Sequence, residues 1–160
     1  MSFQFVPTVR ALRDVDGSTL AEVAASIAQE DESATTEWFP RYSVETTDHT
    51  VSSATVIVET RITMPRWRGY TTASQPERRE WDRFWQALEA HELGHVDLAK
   101  SRLCMVDSQL IGESPDNASQ IWSEAIDALR AASDAYDLET DHGRTQGTVI
   151  DVSGSARATV

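Results

Sequence analysis

From residue 81 to residue 110 the apolar positions recur at helical spacing. With Trp81 set at zero on a helix projection, Trp85, Leu88, Val96, Ala99, Leu103, Val106 and Leu110 fall within about 60° of it. This predicts one long helix, opening near Pro76, a favourable first-turn residue, and running to about Ile111, with a kink or break near Gly94 or beyond Lys100 and a stop at Gly112. Ser114 and Pro115 then restart a helix whose stripe includes Ala118, Ile121, Trp122, Leu129, Ala132 and Tyr136, and the two helices are expected to pack together.

Alternation replaces helical spacing earlier in the chain. Over residues 54–64, Val56, Val58, Ile62 and Met64 share one parity and Glu59, Arg61 and Thr63 the other, which predicts a strand. Trp38, Phe39, Tyr42 and Val44 favour a second strand, and Pro40 among them suggests an edge position. Residues 14–18 read as a turn. Thr19 and Glu22 have the spacing of a capping box, and Leu20, Val23, Ala24 and Ile27 predict a short helix that ends in the polar run 29–36. Residues 147–152 suggest one short strand and 153–160 a frayed tail. The fold expected is α+β, a long helix packed on a second helix and a small, mostly antiparallel sheet, with residues 1–152 as a single domain.

The net charge of −12 argues against nucleic acid or an anionic membrane surface as partner. No apolar run approaches the roughly 20 residues of a membrane span, and the first seven residues lack a basic start and an apolar stretch. A cytoplasmic location is expected from the chain as it stands, and secretion stays open should a leader precede it. Cys104 is the lone cysteine, which excludes an internal disulfide and a cysteine-rich metal site. Nothing in the sequence fixes the oligomeric state.

The chemistry concentrates on the long helix. His91 and His95, at i and i+4, project from one face and can share a metal ion, and Glu92 lies between them. Glu92 projects at about 20° from Trp81, inside the apolar stripe, where an unpaired carboxylate faces a desolvation cost of several kcal/mol. This H-E-x-x-H string is the pattern of a zinc hydrolase, two ligands and a general base. Three protein ligands are usual at a catalytic zinc, so one is missing. Glycine at 98 and histidine at 101 would extend the pattern to the metzincin form, but Leu98 and Ser101 stand there. His142, in a loop that could return to the helix, is the preferred third ligand, with Asp137, Glu124 and Glu113 as alternatives and Asp141 or Asp137 available to orient its ring. His49 reads as a surface turn.

The segments VDGSTLAEVAASI, MPRW, WDRFWQALEAHELGH and YDLETDHGRTQG together resemble the bacterial DUF922 family of predicted zinc-dependent proteases, over about Val15 to Gly147. The resemblance implies a zincin-like metallopeptidase with zinc as cofactor and a peptide or protein as substrate. It carries His91, Glu92 and His95 onto the metal and catalytic positions and His142 onto the distal motif, and many such proteins look exported. The expected reaction is peptide-bond hydrolysis with Glu92 as general base. Tyr136 or Arg144 would stabilise the developing negative charge, and the strand at 54–64 would offer its edge to an extended substrate. Trp67 and Tyr70 could line a groove for that substrate. The rival expectation is a non-catalytic, zinc-stabilised acidic module that binds another protein.

Overall fold

A computed structural model describes residues 1–154; the tail expected over 153–160 lies outside the described residues beyond Gly154. The fold is α+β. Its order is β1 (Ser2–Phe5), β2 (Val9–Val15), α1 (Leu20–Ile27), β3 (Thr35–Thr47), β4 (Thr50–Trp67), α2 (Gln75–Leu103), α3 (Val106–Leu110) and α4 (Pro115–Thr140).

The sheet is built around β4. On one side β1 and then β2 pair with it end to end, both parallel, and on the other side β3 pairs with it antiparallel. Two of the three pairings are thus parallel, which corrects the expectation of a mostly antiparallel sheet. The chain leaves β2 through α1 and comes back through the β3–β4 hairpin, so β4 re-enters beside β2 running in the same direction. Asp48 and His49 make the hairpin turn, with φ of 50° and 61°, the geometry of a tight two-residue loop. His49 is exposed there, as expected of a surface turn. Val56, Val58, Ile62 and Met64 are buried on one face of β4, following the alternation. Both edges of β4 are occupied, so it has no free edge for a substrate; that edge belongs to β3, which contains Pro40.

Ser74 caps α2 and forms a capping box with Glu77. Glu77 reaches further. Its Oε1 accepts from the Leu20 amide, 3.0 Å away in the first turn of α1, while Oε2 accepts from the Ser74 amide and hydroxyl. One carboxylate therefore satisfies orphan donors of two helices. The bond from Leu20, then those from Ser74, hold the Glu77 carboxyl below its ordinary pKa. A depressed carboxylate contributes stability above its unfolded pKa and loses it as pH falls through the folded one. Glu77→Ala is expected to cost about 1–2 kcal/mol in urea unfolding near neutral pH, with the gap from wild type closing in acid.

The helical break comes beyond Lys100: α2 ends at Leu103, and α3 begins at Val106. Residues 147–152 form no strand; a 3-10 turn at Arg144–Gln146 leads, through the left-handed Gly147, into an irregular segment along α2. The core has two parts. Val23, Ile27, Met64, Trp67, Trp81, Phe84 and Leu88 pack in one, and Val51, Val56, Ala99, Leu103, Leu110 and Leu129 in the other. α2 spans both. Among the described residues no helix is long and apolar enough to cross a membrane.

Candidate metal centre

His91 and His95 are buried on α2, and each ring is held by its Nδ1. The Nδ1 of His91 lies 2.9 Å from Gln146 Oε1, and that of His95 lies 2.8 Å from Ser133 Oγ. The two Nε2 atoms then face each other at 3.4 Å, with Asp137 Oδ1 at 3.2 Å from one and 3.1 Å from the other. Ser133 and Asp137 are themselves at i and i+4, so one row of α4 delivers both to the α2 pair. Burial holds the His95 pKa below its ordinary value and favours the neutral imidazole, the form that binds a metal. Two imidazole nitrogens and a carboxylate oxygen thus converge as a group that could hold a metal ion.

Tyr136 packs against this pair. Its ring stacks on His91 with centroids 5.0 Å apart and 15° between planes, and meets His95 edge-on. The contact requires Gly94, where an added Cβ would fall 2.4 Å from the Tyr136 hydroxyl. Gly94→Ala gains roughly 1 kcal/mol of helix propensity but must displace the ring. Overpacking costs about 1–3 kcal/mol, so a net loss of stability is expected in thermal unfolding. Gly143 is constrained too: its φ is +79°, and a Cβ would sit 2.8 Å from Thr148 and 3.0 Å from His91 Cγ.

Glu92 is 5 % exposed, and no cationic side chain pairs with it among the described residues. Burial raises its pKa, partly offset by the Thr36 hydroxyl, which donates to Oε2 at 2.6 Å. Thr36 stands at the start of β3. Glu92, His91, His95 and Asp137 all face one cleft of about 780 Å³, bounded by α1, the start of β3, α2, the end of α4 and residues 148–152.

The structure brings together His91, Glu92, His95 and, from the alternatives for third ligand, Asp137. His142 stands outside that group: it lines the cleft but is exposed, with φ 52° in the turn just past the left-handed Asp141. Glu124 is exposed and bonded to Gln120, and Glu113 lies in the turn before α4. The Tyr136 hydroxyl is directed at the His91 carbonyl and Gln146 and does not line the cleft, whereas Arg144 does. Neither Trp67 nor Tyr70 lines the cleft. Trp67 packs on Trp81 and donates to the Gly17 carbonyl, and Tyr70 bonds Asp82. Thr36, Ser133 and Gln146 went unread in the sequence. Ser133 had a usable signal, its i, i+4 spacing to Asp137; Thr36 and Gln146 had none.

A family described as "Bacterial protein of unknown function (DUF922)" matches residues 12–143. The chain belongs to the DUF922 family. The matched region of this DUF922 chain contains Thr36, the two histidines, Glu92, Ser133 and Asp137, and ends three residues before Gln146. No curated protein and no solved structure matches the chain.

Proposed function

We propose that this DUF922 chain is a zincin-like, zinc-dependent metallopeptidase. The observation that carries the reading is Glu92, a carboxylate buried with no cationic side chain paired to it among the described residues, beside three convergent ligand atoms on the wall of a cleft. The donor set fits zinc: bonds of about 2.0–2.1 Å in a tetrahedron separate ligand atoms by about 3.3–3.4 Å, and the three separations here are 3.1, 3.2 and 3.4 Å. A proton on each Nδ1, donated to Gln146 Oε1 and to Ser133 Oγ, would leave both Nε2 lone pairs for the metal. Bound there, zinc would lower the pKa of a coordinated water towards neutrality and polarise a substrate carbonyl.

Glu92 takes the proton of the attacking water and passes it to the leaving amine. Thr36 occupies Oε2 and so leaves Oε1 for that exchange. Arg144, which lines the cleft, is the donor available to charge developing on the carbonyl oxygen. An extended peptide can add to the open edge of β3, whose first residues, Thr35 and Thr36, line the same cleft. Among the described residues three protein ligands rather than four converge, which favours catalysis over a purely structural, protein-binding role. The test is cleavage of an unstructured protein or a peptide mixture by zinc-loaded chain, read by mass spectrometry. Cleavage should stop on chelation and return with zinc. Stoichiometric zinc with no cleavage of any peptide would sink the peptidase reading.

A further inference from the structure

We propose that Gln146, on a segment that Arg83 pins to α2, fixes the proton of His91 on Nδ1 and thereby sets the affinity of the metal centre. The inference rests on the zinc reading above, but part of its test does not.

A neutral imidazole carries one proton and one lone pair, and two groups compete for the His91 proton. Asp137 Oδ1, 3.2 Å from Nε2, would hold it on the side where the ligand lone pair is needed. Gln146 Oε1, 2.9 Å from Nδ1, holds it on the other. Gln146 succeeds only with its oxygen towards the ring, because a reversed amide would present N–H groups to Nδ1. Tyr136 favours that orientation: its hydroxyl accepts from Gln146 Nε2 at 3.1 Å, a shorter contact than the 3.4 Å at which it faces Gln146 Oε1 and the His91 carbonyl as donor.

Gln146 belongs to neither ligand helix. It ends the 3-10 turn Arg144–Gln146, and the irregular segment after it is tied to α2 by side chains remote from the histidines. Arg83 Nη1 donates to the Gly147 carbonyl at 2.8 Å and Nη2 to the Val149 carbonyl at 2.6 Å, while Glu80 orients the guanidinium and accepts from the Asp151 amide. Arg83 stands eight residues before His91, about 12 Å along the helix axis, so it acts on the ring only through this segment. Both the clamped segment and Gln146 lie beyond the residues matched to the family.

The experiment compares Gln146→Leu, Gln146→Glu and Arg83→Met with wild type in zinc affinity by chelator competition, in unfolding of the metal-free protein, and in the nitrogen NMR signature of the His91 ring. Gln146→Leu should weaken zinc by roughly 10- to 100-fold with unchanged metal-free unfolding and a shift of the His91 proton towards Nε2. Gln146→Glu, which can only accept at Nδ1, should restore both, and Arg83→Met should move both in the direction of Gln146→Leu. Wild-type zinc affinity in Gln146→Leu, or a ring proton unmoved by the substitution, overturns the inference. Should wild type bind no zinc, the metallopeptidase reading fails, and the ring signature of the metal-free proteins still decides the role of Gln146. If Gln146→Leu does not fold, Arg83→Met decides it: wild-type zinc affinity and an unmoved ring signature in that variant would overturn it.

Discussion

Glu92→Gln is expected to retain stoichiometric zinc, to fold at least as stably as wild type, and to lose about 10²- to 10⁴-fold in hydrolysis, the range supplied by a positioned acid–base group. The amide keeps the size of the side chain and can still accept from the Thr36 hydroxyl. It also removes a carboxylate whose charge burial opposes and with which no cationic side chain pairs among the described residues. A residue present only for the fold would lose stability on this change, whereas a group kept for proton transfer loses only turnover. Zinc content, thermal unfolding and peptide cleavage measured on the same preparation separate the two. Surviving cleavage would remove Glu92 from the role of base.

The second large effect separates two candidates for the third ligand. Asp137→Ala is expected to weaken zinc by more than about 100-fold, beyond the usual cost of removing a group that merely hydrogen-bonds a ligand. His142→Ala should leave the affinity near wild type. The geometry gives the reason: Asp137 Oδ1 is within 3.2 Å of both Nε2 atoms, while His142 is exposed beyond a left-handed turn. Chelator competition on the two purified variants reads the difference directly. Loss of zinc in His142→Ala with retention in Asp137→Ala would reverse the assignment.

Local patterns made the helices legible. The stripe from Trp81, the Ser114–Pro115 restart and the Thr19–Glu22 spacing each reflect neighbours within a few residues, and α1, α2 and α4 conform to them. The central strand was legible for the same reason, as one face of β4 is buried along its length. β1 and β2 were not, because they lie at a sheet edge with Val9 and Leu12 exposed, and their partners stand some fifty residues away in β4. The direction of their pairing depends on the whole path of the chain, which no periodicity encodes.

At the site, spacing placed the two imidazoles on one helix face and identified Glu92 as an anomalous carboxylate in an apolar stripe. Choosing among Asp137, Glu124, Glu113 and His142 required the rotation of α4 against α2. That rotation turns the row of Ser133 and Asp137 inward, and the left-handed Asp141 then carries His142 out to solvent. Tyr136 continued the apolar stripe in sequence, and in the fold it packs the ring of His91 rather than facing the cleft.

The unpaired side of β3 also bears on how the protein avoids itself. Thirteen residues of open strand form a template on which copies could stack into aggregates. Pro40 offers no amide to such a neighbour, and Glu37, Arg41 and Glu45 bring charge into its path. Self-association is thus opposed along the middle of the strand, while Thr35 and Thr36 lie on the cleft, where the proposed peptide substrate would add.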